Sequence, residues 1–271
     1  MWLLTAGGAT FAAFPCTYAL MFSYLYTALL LLLFSLFVRG VSFDFRGKID
    51  RPEWKKGWDT AMIVASFLPA LLFGVAFGNI FMGLPMDAAG YHGGLLSLLN
   101  PYGIITGLLF VLLFAVHGSL YATVKTTGEL SARAFAMAKL LWIPLLLIAV
   151  VFLGHTAYAT KLYDNYVKVP VLFIVPLIAV LALVAVQYFM IKQQALRAFT
   201  ASCITIVFVV ATGVTGLFPN LIPSTLDPAY SLTIFNSSSS QYTLTIMTVV
   251  AFIFVPTVIL YKIWAYRIFR D

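Results

Sequence analysis

Charge is what this chain has least of. Asp, Glu, Lys and Arg make up 9% of its 271 residues, while 62% are hydrophobic. Soluble domains carry roughly a quarter charged residues, so a water-facing surface cannot be assembled from this composition. Cysteine is scarcer: Cys16 and Cys203 stand alone, which excludes a disulfide framework and a thiolate metal site. Cys16 follows Phe14-Pro15 rather than a small residue, and no basic leader precedes it, so lipid attachment there is not expected. No nucleophile–base pair, phosphate-cradling loop or deep pair of carboxylates is found. The longest polar stretch, Phe218–Leu244, contains no Lys or Arg although the net charge is +7.

What the chain does have is long apolar runs. Val171–Met190 holds one strongly polar residue, Gln187, and Leu140–Leu153 is apolar throughout. Runs of about 20 apolar residues match a bilayer core of roughly 30 Å. Seven spans are expected, roughly 15–38, 60–84, 102–124, 136–159, 169–191, 198–218 and 243–266. Unpaired backbone is too costly in hydrocarbon, and the runs lack the alternation of barrel strands, so the spans are helices. The expected fold is an all-α polytopic membrane protein, one integral-membrane domain over 1–271.

Charge orients the spans. Arg39, Arg46, Lys48, Arg51, Lys55 and Lys56 fall on one side, with Lys125, Arg133, Lys139, Lys192, Arg197, Lys262, Arg267 and Arg270. Only Lys161 and Lys168 fall on the other. This asymmetry places the rich side, and the C-terminus, in the cytoplasm, and puts 218–244 outside where Lys and Arg are disfavoured. The basic balance follows from topology and calls for no nucleic acid. Short connections favour an up-and-down bundle.

Several residues invite a role. Gly74-x-x-x-Gly78 and Gly103-x-x-x-Gly107 put pairs of glycines on one helix face, for close packing. Asn79, near the outer end of its span, needs a partner from another helix or an interfacial water. His117 is the one histidine at depth; a lone histidine is a weak haem signal, and an interhelical hydrogen bond is the favoured reading. His92 reads as a solvated loop residue, and His155 lies at an outer end. Asp59 and Glu129 flank spans on the basic side, as ion-pair partners or as entry points for protons; with Arg39 they form a candidate polar network. Asp44 is expected to pair with Arg46 or to bond within a turn.

Several stretches together resemble subunit II of the cytochrome bd-type quinol oxidases. They are WLLTAGGATFAAFP at 2–15, RGVSFDFRGKI at 39–49, SFLPALLFGVAFGNIFMGLP at 66–85, LLNPYGIITG at 98–107 and TTGEL at 126–130. The polar stretch with Ser224, Ser231-Leu232-Thr233 and Ser239-Ser240-Gln241, and the helix after it, resemble the family too. The resemblance implies a bacterial inner-membrane terminal oxidase that oxidises quinol, reduces dioxygen to water and builds a proton gradient. It implies two haems b and one haem d on a partner, subunit I, with no haem ligand here and, in some relatives, a structural quinone within subunit II. The role implied for this chain is scaffold and assembly, with proton access.

The family has eight helices, as two four-helix bundles, and a Trp-Asp-Gly-Asn-Gln segment ahead of the point matching Trp2. An N-terminally truncated reading frame is therefore expected. The 218–242 loop is expected to cap the last two helices, with sealing of the outer side as the second reading; Asn236-Ser237-Ser238 fits a glycosylation pattern only incidentally. The competing functions are a non-catalytic membrane scaffold and a small-solute transporter. The latter calls for broken helices near mid-membrane.

Overall fold

The structure, a computed structural model, describes residues 2–88 and 90–268, with the side chains of 2–6 and 95 outside the description. Arg270 lies outside the described residues. Eleven α-helices follow in order among them: α1 Trp2–Ala13, α2 Pro15–Tyr24, α3 Tyr26–Arg46, α4 Pro52–Met82, α5 Leu95–Leu98, α6 Pro101–Lys125, α7 Gly128–Ala159, α8 Asp164–Lys168, α9 Ile174–Ile191, α10 Ala195–Leu217 and α11 Gln241–Ile268. Seven are long and apolar enough to cross a membrane: α3, α4, α6, α7, α9 with the turn before it, α10 and α11. The β-structure among the described residues is two short antiparallel ribbons, β1 Met86–Asp87 with β2 Gly90–Tyr91 and β3 Asn220–Ile222 with β4 Leu232–Thr233, and one parallel bridge between Leu84 and Ser224.

Local chemistry starts and turns the helices. Asn100 caps α6 by accepting from the Gly103 N–H at 2.8 Å, and Pro101 fills the first helical position, where no N–H is needed. Between α9 and α10 the chain reverses within three residues, with Gln193 at φ 58. Pro69, Pro144 and Pro256 lie inside α4, α7 and α11, and each helix continues through its proline.

The first span differs from expectation. Instead of one helix over 15–38, the chain breaks at Leu25 and the crossing helix is α3, ending at Arg46. The inward connection expected over 39–58 shrinks to 47–51, because α3 and α4 both continue into it. At 31 residues α4 is about 47 Å long, well beyond the roughly 30 Å hydrocarbon layer. Its first turns therefore stand at the basic rim, the end shared by the C-termini of α3 and α6 and the N-termini of α4 and α7. The opposite end is the far rim.

Two clusters form the core. Leu113, Val116, Trp142, Val186, Met190 and Ala201 join α6, α7, α9 and α10. Leu25, Val75, Leu84, Met86, Leu98 and Ile222 close the far rim beside α4.

Candidate functional site

At the basic rim the end of α3 is clamped to the start of α4. Arg46 grips Asp59 with both arms, Nε to Oδ1 at 2.5 Å and Nη2 to Oδ2 at 3.1 Å. The expected pairing of Arg46 with Asp44 is not formed. With α3 helical through 46, residues two apart point to different faces, whereas Asp59 comes up opposite on α4. Trp54 donates its indole N–H to the Phe45 carbonyl at 2.8 Å. Trp58 lies between Phe45 at 5.5 Å and Trp54 at 5.7 Å, centroid to centroid. Lys55 pairs with Asp50 at 2.5 Å.

Of the other two expected network residues, Arg39 is exposed on α3, and Glu129 is exposed in the first turn of α7, where it complements the helix dipole. Among the described residues no hydrogen bond or ion pair joins Arg39, Asp59 and Glu129 to one another.

Towards the far rim the two glycine motifs meet face to face. A β-carbon at Gly74 would stand 2.6 Å from the Thr106 carbonyl and 2.7 Å from the Gly107 Cα. At Gly78 it would stand 2.7 Å from Thr106 Oγ1. This approach of backbones delivers Asn79 to its partners: its Nδ2 donates to the carbonyls of Val75 at 2.8 Å and Leu98 at 2.7 Å. Its Oδ1 accepts from Asn100 Nδ2 at 2.7 Å. The Tyr102 hydroxyl meets Thr156 at 2.9 Å and ties α6 to α7. Asn100 and Tyr102 lie in the LLNPYGIITG stretch, where Asn before Pro is a helix-start signal, but their partners across the fold are not readable from spacing.

The 218–242 loop does more than bridge α10 and α11. Leu84 N–H donates to the Pro223 carbonyl at 2.9 Å, Thr225 N–H to the Leu84 carbonyl at 3.0 Å and Ser224 Oγ to the Met86 carbonyl at 2.6 Å. Ser239 N–H reaches the Ala13 carbonyl at 2.8 Å. The loop thus fastens the end of α4, and α1, to the last two helices. Asn165 Nδ2 donates to the Thr215, Gly216 and Phe218 carbonyls at the open end of α10. Tyr166, fully buried, donates to the Thr212 carbonyl at 2.6 Å, and burial pushes its phenol up to about 12.

Residues 1–269 match the sequence family described as cytochrome bd terminal oxidase subunit II. The chain belongs to that family. A probable cytochrome oxidase subunit 2 of Haemophilus influenzae is 35% identical, over 98% of this chain and 79% of its own. The cytochrome bd-I ubiquinol oxidase subunit 2 of Escherichia coli K12 is 34% identical over the same shares. The cytochrome bd ubiquinol oxidase subunit 2 of Bacillus subtilis is 35% identical over 100% of this chain and 80% of its own. In fold the chain is similar to the bd oxidase structure from Geobacillus thermodenitrificans, TM-score 0.66 at 20% identity, covering 95% of this chain and 78% of that one.

Membership in the bd subunit II family implies a haem-containing oxidase complex with a companion subunit, so the histidines of this chain are the groups to test against haem. His117 Nδ1 lies 2.8 Å from Ser202 Oγ, joining α6 to α10, and its ring stacks on Phe199 at 5.0 Å. His155 stands edge-on to Tyr102, and His92 pairs with Asp87 at 2.8 Å. Each histidine is thus engaged by a neighbour, and no group of three His, Cys, Asp or Glu side chains converges among the described residues. The donor set does not fit a haem.

A cavity of about 140 Å³ opens between Phe77, Phe110, Leu145, Phe152, Leu183 and Val209. Its hydroxyls, Thr205 and Thr212, already donate to the carbonyls of Ala201 and Phe208. Such a lining suits hydrocarbon and offers nothing to a polar head group.

Proposed function

We propose that this chain is the scaffold subunit of a quinol-oxidising terminal oxidase, assembled on a companion subunit that carries haem b and haem d. Quinol is oxidised and dioxygen reduced in that complex, and this chain alone is not catalytic. The match over residues 1–269 carries the reading. The geometry agrees with a rigid support: helices held by glycine contact at one rim and by an ion pair at the other, with His117, the one deep histidine, engaged by Ser202 and Phe199. The chain acts as one integral-membrane unit in the bacterial inner membrane, with its basic rim and C-terminus cytoplasmic, as the bias of Lys and Arg favours.

Proton access at the basic rim is assigned to Asp59 and Glu129, with Arg39 nearby in the same belt of charge. Asp59 has a half-exposed side chain (46%), which brings it to water at the rim. The apolar cavity would accept the tail, not the ring, of a quinone. A transporter is not favoured, because α4, α7 and α11 run unbroken through their prolines.

The test is to tag the chain, purify it in mild detergent, and record a reduced-minus-oxidised spectrum and quinol-dependent oxygen uptake. Haem bands and uptake are expected; a colourless, lone chain would overturn the proposal. In the same complex, Asp59→Asn should slow oxygen uptake while leaving assembly intact. Full turnover in that variant removes Asp59 from the proton route.

A further inference from the structure

Between α3 and α4 the chain turns within residues 47–51. Five basic side chains fall in or beside this turn: Arg46, Lys48, Arg51, Lys55 and Lys56. Two are neutralised at close range, Arg46 by Asp59 and Lys55 by Asp50. Lys48, Arg51 and Lys56 are exposed and make no ion pair among the described residues, with Asp44 and Glu53 as the remaining acids of the segment.

What lies beside them sets their depth. Trp54, Trp58 and Phe45 form a packed platform, fixed by the indole hydrogen bond to the Phe45 carbonyl. Tryptophans of this kind sit where hydrocarbon gives way to head groups. Phe43, Phe45 and Ile49 are 62%, 46% and 41% exposed on the same segment, an apolar border that the described residues leave uncovered. Lys48 N–H donates to the Phe45 carbonyl at 3.1 Å, so the turn is held in one shape.

Elsewhere on this rim three cations lean on their own helices. Lys139 stands over Phe135 at 4.7 Å, Lys192 over Tyr188 at 5.9 Å, and Arg197 donates to Gln194 at 2.8 Å. In the 47–56 turn three exposed cations share one short, hydrogen-bonded segment with exposed Phe43, Phe45 and Ile49.

We infer that this turn is a binding surface for anionic phospholipid head groups. The Arg51 guanidinium can take a phosphate diester through paired N–H donors, while Lys48 and Lys56 supply point charge. The exposed Phe43, Phe45 and Ile49 then lie against the lipid's acyl chains. Free phosphate would meet the same charges and gain nothing from that apolar border, which is why a lipid is the fitting occupant. The inference goes beyond the oxidase reading and does not depend on it.

The test titrates the purified protein, with whatever companion chains it retains in neutral detergent, with phosphatidylglycerol, phosphatidylcholine or inorganic phosphate. The thermal midpoint is the readout. Phosphatidylglycerol should raise it at low concentration, and the other two should not. Each cation near a membrane surface is worth about a fivefold change in affinity, so Lys48→Gln with Arg51→Gln and Lys56→Gln should need on the order of a hundredfold more phosphatidylglycerol. Arg51→Gln alone should need about fivefold more. Removing equal charge elsewhere on the rim, with Arg133→Gln, Lys262→Gln and Arg267→Gln, should leave the titration unchanged. A triple turn variant that titrates like the parent overturns the assignment. So does phosphatidylcholine or phosphate matching phosphatidylglycerol, or the control set losing as much as the turn set.

Discussion

At the scale of single residues, Gly74 and Asn79 show how close approach and polarity are joined. A methyl at Gly74 meets backbone, the Thr106 carbonyl and the Gly107 Cα, which cannot swing aside as a side chain would. Gly74→Ala should therefore cost about 1–3 kcal/mol of stability, read as a lower thermal midpoint. Gly118, also mid-helix, has nothing within 4 Å of its β-position, and Gly118→Ala should be neutral or slightly stabilising. Asn79→Leu removes the donor to the Leu98 carbonyl and the acceptor of Asn100, leaving buried polar groups unpaired. A loss of roughly 1–3 kcal/mol is expected in the same assay. The glycine spacing and the need of Asn79 for a partner were both visible in the sequence. That the motifs face each other was not, because the partner depends on how the segment 83–100 folds back. Arg46 teaches the same point: its sequence neighbour Asp44 looked nearest until the helix turned it away.

At the scale of elements, spans were legible and breaks were not. Apolar run length locates a crossing, but it does not register a one-residue kink such as Leu25, with φ −96 and ψ 13. Nor does it show that α4 and α7 extend past the apolar run as rigid rods, which carries Asp59 and Glu129 on helix rather than loop. The far rim of α10 depends on an element too short to see in a pattern. α8 is five residues long and supplies both Asn165 and Tyr166. Tyr166 gives that element a pH signature. Below pH 10 its phenol is neutral in folded and unfolded chains alike. As pH rises through 10 the unfolded phenol ionises first, and stability is lost until the folded phenol follows near 12. Tyr166→Phe should flatten this part of the alkaline unfolding curve, while lowering stability at neutral pH through the lost bond to the Thr212 carbonyl. A curve falling as steeply between pH 10 and 12 as in the parent would show that other groups dominate.

At the scale of the molecule, one distribution of charge organises everything: cations at the basic rim, and a strap without Lys or Arg at the other. Reporter fusions after the C-terminus and within the 47–51 turn should lie on one side of the membrane, and an insertion near 226 on the other. Finding the first two on opposite sides would overturn the count of seven crossings. α11 stands apart: none of its 28 residues is buried, and among the described helices it packs chiefly on α1. The strap itself carries a consequence for biosynthesis. Leu84 and Met86 leave the ribosome long before Pro223 and Ser224, which hold them, and four further crossings come between. Their backbone must wait unlatched on the far side until α10 has been threaded through. A nascent chain stalled before residue 218 would therefore present that segment to proteases, and the finished one would not.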